Sequence, residues 1–433
     1  MVEVENGLSH VDRAEVESFK PSDTIGDSPF TVRWVLDNLT ASDDRFNSLG
    51  GFSKVANVKA RDISQGKGFI SRVYKVDIEF ENAQDYSVIL KVPGVESIME
   101  VMERTSVDNK NNPEIHDEHI AIAHNREVKF YDEFAPHVDI PLAKIYKTVE
   151  WVVGQQHGAI LMESFFGRAE TIPISTGANV QQLLNVAKHV GTIHAYLLSI
   201  PPETWMGKYS NKMFESFSKS DFFGPMFDIL KKQKPGMFDA AIEFLGKYRM
   251  NKKFMLYLMC DVYKDAGLPL ILTHGDLWTN NILWKKNADG SFSNDVEAII
   301  DWQLFHEGCM TNDIARFMAI CADGEIRREY EDDVLQCYYD RIVEEMEKYG
   351  NKVDFGMDQL KMAYKANFIV QAMMTMVMGP FLFPGLGGDT PEGSVKNAQV
   401  EKLFLRAHLA AEDGIEYLKE IPVDKITDDG ESE

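Results

Sequence analysis

Two apolar runs, each ending in a polar loop that carries an acid, constrain this chain more than any other feature. In the first, Ile271-Leu272-Thr273 leads into His274-Gly275-Asp276; four residues intervene, Asn281 follows, and Ile282-Leu283-Trp284 resumes the apolar pattern. In the second, Val296-Glu297-Ala298-Ile299-Ile300 alternates, turns continuous and stops at Asp301-Trp302-Gln303, with Asp301 standing 25 positions after Asp276. Short apolar runs bounded by polar loops read as buried strands that hang a loop on a rigid scaffold. Taken alone, the first loop also reads as an Asp and an Asn capping turns. Two strand-end oxygen donors in this order and this close are much harder to obtain by chance.

The residue types suit phosphoryl transfer. An Asp meets the attacking hydroxyl, and an Asn five positions on reaches a Mg²⁺ on the nucleotide phosphates. Mg²⁺ takes hard oxygen ligands, commonly one or two carboxylates plus phosphate oxygens. Asp276 is therefore the candidate catalytic residue. Asn281 and Asp301 are the candidate metal ligands, and all three form the candidate catalytic set. His274 is assigned to loop geometry rather than proton transfer.

His-Gly-Asp with Asn at the fifth position after the Asp, followed by Ile-Ile-Asp-Trp-Gln, resembles the kinase-like small-molecule phosphotransferases. These include the aminoglycoside phosphotransferases, the choline kinases and the CHK (ecdysteroid 22-kinase-like) group, of which the nematode-type branch is the nearest match. The resemblance runs from about Phe30 to Leu418 by order of elements. It implies an α+β, bilobal protein-kinase-like fold: a small N-lobe built on an antiparallel sheet, a larger helical C-lobe, and ATP between them. The expected division is a polar segment 1–29, an N-lobe 30–165, a C-lobe 166–423 and an acidic tail 424–433. A length of 433 residues agrees with more than one ordinary core.

The N-terminal motifs are weaker. Val55–Ala60, Ser71–Phe80 and Tyr86–Val92 read as strands, and Ile63-Ser64-Gln65-Gly66-Lys67-Gly68-Phe69-Ile70-Ser71 joins the first two. Gly66 and Gly68 would let backbone N–H groups approach phosphates, and Ser71 adds a hydroxyl; a plain hairpin turn fits as well. A Walker loop does not, because Gly68 rather than Ser or Thr follows Lys67 and a strand rather than a helix follows the loop. Lys91 ends the apolar strand Val88-Ile89-Leu90 and otherwise snorkels to solvent. The order of elements in the family implies that it meets the α/β-phosphates, braced by Glu127 on the helix 36 residues later, with Glu133 as the fallback. Trp151–Val153 and Gly158–Glu163 read as a hairpin leading to the interlobe hinge. There the backbone from Glu163 to Phe165 would bind the adenine edge, with Met162 and Ile160 lining the slot.

Other features bound the function. Lys plus Arg is 45 against 68 Asp plus Glu, a net charge of −23, which repels nucleic acid and anionic membranes. ATP is repelled too, so a nucleotide site needs local cations. The cysteines at 260, 309, 321 and 337 show no metal or redox spacing and read as reduced core thiols of a cytoplasmic protein. Residues 1–20 lack a signal-peptide core. The apolar stretch Phe368–Pro384 reads as a buried helix rather than a membrane span, because Gln371, Thr375, Pro380 and Pro384 interrupt it. Residues 106–124 read as a polar loop with solvated His116, His119 and His124. Amphipathic helices are expected at Thr31–Thr40, Val180–Leu198, Asp332–Lys348, Met357–Met378 and Val395–Lys419. Pro201–Lys264 is helical in tendency and is the expected acceptor wall; Asp313 fits an N-terminal cap of its helix, and the resemblance implies that its turn braces the catalytic loop. The interval from Asp301 to Asp313 is too short for a protein kinase's activation segment. The expected partner is accordingly a hydroxyl group on a small molecule, taken by a monomer or weak dimer that depends on ATP and Mg²⁺. The alternative is a kinase-like nucleotide-binding or scaffold protein that has lost its chemistry.

Overall fold

The computed structural model describes residues 19–64, 71–82, 84–94, 116–211, 221, 223–383 and 390–426. Gly66 and Gly68 lie outside them.

The N-terminal part is a five-stranded sheet in the order β1-β2-β3-β5-β4, every pair antiparallel. Its strands are β1 (Val55–Asp62), β2 (Ser71–Phe80), β3 (Asp85–Pro93), β4 (Ile145–Val149) and β5 (Ala159–Glu163). In β2 the pleat sends Tyr74, Val76, Ile78 and Phe80 inward while Lys75, Asp77 and Glu79 stay half-exposed. Val88, Leu90 and Val92 of β3 join the same layer, roofed by Val32, Val35, Leu36 and Leu39 of α1 (Val32–Ser42). Thr31 caps α1, its hydroxyl accepting from Trp34 N–H at 3.2 Å. Ile25, from the polar segment 1–29, is buried in this core. β5 is apolar on both faces. Ala159 and Leu161 face α1, while Ile160 and Met162 face α2 (Asp117–Lys129) and the larger core beyond.

Two expectations fail here. The partner of β5 is β4, not Trp151–Val153. Asn125 holds Trp151 instead, donating to its carbonyl at 3.0 Å and accepting from its N–H at 2.8 Å, and Val152 sits in an exposed turn. Residues 117–124 are not loop but the first turns of α2. His124 is buried there with Nε2 2.9 Å from Val149 O, in a run where Ile120, Ala121 and Ala123 also turn inward.

The remainder is mostly helical and carries two small sheets. β6 (Ala169–Glu170), β8 (Ile282–Lys286) and β9 (Phe292–Ile299) form one; β7 (Leu270–Thr273) and β10 (His306–Cys309) form the other. Around them lie α3 (Val180–Ser199), α4 (Asn312–Cys321), α5 (Gly324–Lys348), α6 (Met357–Leu382) and α7 (Pro391–Leu418), with α3 packed on α5 and α6 on α7. This is the α+β, two-part architecture that the resemblance implies.

Helix bounds differ from the periodicity. α5 begins eight residues early, at Gly324. α6 runs through Pro380, tolerated in its last turn. α7 begins at Pro391, because Thr390 caps it by accepting from Gly393 N–H at 3.0 Å and proline suits the first turn. The stretch from Phe368 lies in the buried α6, and no helix of the described residues is long and apolar enough to cross a membrane. The acidic tail opens with one helical turn, Val423–Ile426, and continues outside the described residues. All four cysteines are free, three of them buried.

Candidate active site

The two apolar runs become adjacent strand pairs. β7 pairs with β10, β8 pairs with β9, and the loops 274–281 and 300–305 emerge side by side. They are tied to each other: Ile300 N–H donates to Asn281 O at 3.0 Å, and His274 Nε2 lies 3.0 Å from Ile300 O. Asp276 N–H donates to His274 Nδ1 at 3.2 Å, so the pattern assigns the ring proton to Nε2. Burial depresses the pKa of His274, keeping it neutral in this bridge. Gly275 has φ +80°. A Cβ there would strike Leu304 O and lie 2.8 Å from His306 Nδ1, so only glycine fits.

Asp313 braces the same loop. Its carboxylate accepts from His274 N–H at 2.7 Å and from Gly275 N–H at 2.9 Å. It does not cap its own helix as expected; Thr311 holds that position and Asp313 lies inside the first turn. Two otherwise orphaned loop N–H groups are a stronger demand than the helix end.

Asp276, Asn281 and Asp301 are brought together. Asn281 Nδ2 donates to Asp276 Oδ2 at 3.0 Å and to Asp276 O at 2.8 Å, leaving Asn281 Oδ1 without a donor among the described residues. Burial raises the pKa of Asp276, and the nearby Asp301 adds to the rise, against the pull of Arg316. Asp301 is the only non-glycine residue at positive φ among the described residues, at 67°. That conformation costs roughly 1–2 kcal/mol. The next residue is well anchored: Trp302 stacks on Phe130 with ring centres 3.6 Å apart and planes 7° apart, and its Nε1–H donates to Ile299 O at 3.2 Å.

Lys91 reaches this corner from the N-terminal sheet. Its Nζ lies 2.5 Å from Glu127 Oε2 and 2.5 Å from Asp301 Oδ1. Glu127 is 1% exposed and Lys91 is buried. Burial acts to depress the lysine pKa, but the Asp301 and Glu127 carboxylates outweigh it and hold the ammonium above the usual lysine range. Burial pushes the Glu127 carboxyl up, opposed by Lys91. Glu133, the fallback, accepts instead from Tyr209 OH at 3.1 Å.

The remaining candidates are less convergent. Ser71 is buried at the start of β2, opposite Pro93. Glu163 N–H donates to Lys144 O at 2.9 Å, and its carboxylate takes Lys144 N–H at 2.7 Å and pairs with Arg168. The N–H of Phe165 has no hydrogen-bond partner among the described residues, and its ring lies under the Arg168 guanidinium at 4.5 Å. Sequence reasoning missed Arg316, whose guanidinium pairs with Asp276. The available signal was its setting: Ile314, Ala315, Phe317, Met318, Ala319 and Ile320 leave α4 no polar face on which an arginine would be solvated.

Comparison with known proteins places the chain. It is 28% identical over 359 residues to "Uncharacterized oxidoreductase dhs-27" of Caenorhabditis elegans, covering 81% of this chain but only 42% of that protein. It is 21% identical over 338 residues to "Uncharacterized kinase-like protein D1044.1" of the same organism, covering 75% of this chain and 83% of that protein. Among solved structures, a GDP complex of aminoglycoside 2'-phosphotransferase-IIIa aligns at 13% identity and TM-score 0.43, over 88% of this chain and 98% of the other. A putative aminoglycoside phosphotransferase of Ralstonia eutropha aligns at 13% identity and TM-score 0.42, over 89% and 98%. A family model, DUF1679, described as "Uncharacterized oxidoreductase dhs-27", matches residues 47–417 and so takes in the whole of the site just described. With most of its length inside that match, the chain belongs to this family.

Proposed function

We propose that this protein is a kinase of the CHK type, transferring the γ-phosphoryl group of ATP to a hydroxyl of a small organic molecule that is steroid-, glycoside- or xenobiotic-like. The observation that carries this is the meeting of Asp276, Asn281 and Asp301 at two adjacent strand ends, with the Lys91–Glu127 pair delivered to Asp301 from the N-terminal sheet. We divide the chain accordingly into a nucleotide-binding lobe over residues 30–165 and a catalytic, acceptor-binding lobe over 166–423.

Asp276 orients the acceptor hydroxyl and takes its proton, a contribution of about 10²–10⁴-fold in rate, as the new O–P bond forms and the bond from the γ-phosphorus to the β-phosphate oxygen breaks, releasing ADP. Lys91 offers its ammonium to the phosphates, and Glu127 keeps that ammonium in place. The donor set suits Mg²⁺: Asn281 Oδ1 accepts from no donor among the described residues, and Asp301, close enough for its charge to act on Asp276, adds a carboxylate, both hard oxygens. When bound, Mg²⁺ neutralises phosphate charge. Lys91 supplies the remaining local positive charge that a chain of net charge −23 needs to admit a nucleotide. The N–H of Phe165, without a partner among the described residues, is the hinge donor for the base, with Met162 and Ile160 as the apolar wall. The oxidoreductase in one relative's name is not carried over, since the matching stretch is 42% of that protein.

The test is direct. Purified protein, Mg²⁺ and γ-¹⁸O-labelled ATP are incubated with a metabolite extract and analysed by mass spectrometry. Small-molecule products carrying one labelled phosphate are expected. Binding of Mg²⁺-ATP with no labelled product would favour the inactive, nucleotide-binding alternative.

A further inference from the structure

Arg316 sits on α4, 8% exposed, in a segment whose other side chains are buried and largely apolar. A guanidinium in such surroundings is retained where its donors meet specific acceptors. One terminal nitrogen, Nη2, pairs with Asp276 Oδ1. The other, Nη1, donates to Gln371 Oε1 at 3.1 Å, and Gln371 Nε2 in turn donates to Asn312 Oδ1 at 3.1 Å. A polar chain Asn312–Gln371–Arg316–Asp276 thus crosses the contact between α4 and α6. Gln371 and Asn312 are each 2% exposed.

This arrangement is poor stabilisation. A buried ion pair returns about what its desolvation costs, and Arg316 Nε has no partner among the described residues. Its effect on geometry is specific. Asp276 Oδ2 is held by Asn281 from within the loop, and Oδ1 is held by Arg316 from a helix behind it. Two separate elements therefore fix the carboxylate plane. Asn281 alone would leave the side chain free to swing about one hydrogen bond.

We propose that Arg316 is a positioning residue for Asp276, and that Gln371 fixes Arg316. This rests on the phosphotransfer assignment. Arg316 pairs with Asp276, while Lys91 pairs with Glu127 and Asp301, so the loss of Arg316 should act on the attacking group rather than on nucleotide binding.

Basal Mg²⁺-ATP hydrolysis, with water in place of the acceptor hydroxyl, gives kcat and KM without an identified acceptor. Arg316→Met should lower kcat on the order of 10²-fold, the effect of a misplacement of about 1 Å. KM for ATP should stay within about twofold, since uniform binding is untouched. Arg316→Lys should recover about tenfold, and Gln371→Leu, which leaves Arg316 in place, should lose about tenfold in kcat alone. Melting temperatures of Arg316→Met, Asp276→Asn and the double variant should be non-additive, the arginine change costing less once the carboxylate is gone. Wild-type kcat in both Arg316→Lys and Gln371→Leu would overturn the positioning role, and additive melting shifts would overturn the pair. If wild-type protein binds Mg²⁺-ATP but neither hydrolyses nor transfers it, the phosphotransfer assignment falls instead, and the melting cycle still decides the pair.

Discussion

Replacing Lys91 by methionine keeps the stem on the face of β3 that looks toward α2 and removes only the charge. Two carboxylates, Glu127 and Asp301, then face the space where the ammonium was 2.5 Å from each. Removing one member of a buried pair costs roughly 3–5 kcal/mol when the survivor stays charged. Glu127 has an escape. Burial already pushes its carboxyl up to about 7. Without Lys91 it rises further, so near neutrality the variant's Glu127 binds a proton. A carboxyl whose folded pKa is raised loses stability as pH rises toward that value, because the unfolded chain has already released the proton that the folded chain keeps. The variant should therefore lie closest to wild type at or below pH 7. The gap should widen by up to about 1.4 kcal/mol per pH unit above it. Urea unfolding in EDTA at pH 6, 7, 8 and 9 measures the difference, with Lys91→Met/Glu127→Gln as the control that should flatten it. A destabilisation unchanged from pH 6 to 9, or below about 1 kcal/mol at pH 9 where the full penalty applies, would refute the buried pair.

Gly275→Ala should destabilise by at least about 1–2 kcal/mol for the left-handed backbone alone. The contact with Leu304 O adds to that, readable as a fall in Tm together with lost transfer. His124, His194 and His306 are buried, and burial holds their pKa values at about 4, 3 and 4. Below pH 6.5 the unfolded chain binds protons that these native side chains refuse. Stability should fall as pH drops from 6.5 toward 4, at up to about 1.4 kcal/mol per unit per histidine, partly offset by buried carboxyls of raised pKa. Urea midpoints across pH 4–7 check this, and His194→Phe should reduce the slope.

The loop 274–281 was legible because its flanks are unambiguous. Ile271-Leu272 and Ile282 are buried strand residues, so the polar residues between them fall on the loop that joins the two strands. Lys91 and Glu127 were legible only through the order of elements; nothing in Val88–Pro93 distinguishes a braced lysine from a snorkelling one. The β4 strand was missed because Ile145-Tyr146-Lys147-Thr148-Val149 alternates no more clearly than Trp151–Val153, and only Asn125's grip on Trp151 decides between them. His124 looked solvated because the polar residues before it masked the start of α2. Arg316 was missed because a periodicity reading scores which residues are apolar and does not ask where a lone charge on an apolar helix must go. Asp301's left-handed backbone accompanies the stacking of Trp302 on Phe130, a contact across 172 positions that no local pattern carries.

The central claim is that Asp276 acts on the attacking hydroxyl, and single-turnover transfer from bound Mg²⁺-ATP in wild type and Asp276→Asn tests it most directly. Both proteins should bind the nucleotide with similar affinity, because Lys91, Asn281 and Asp301 are intact in each. The variant should transfer at least about 10²-fold more slowly. Transfer at the wild-type rate by a folded, nucleotide-bound Asp276→Asn protein would contradict the account.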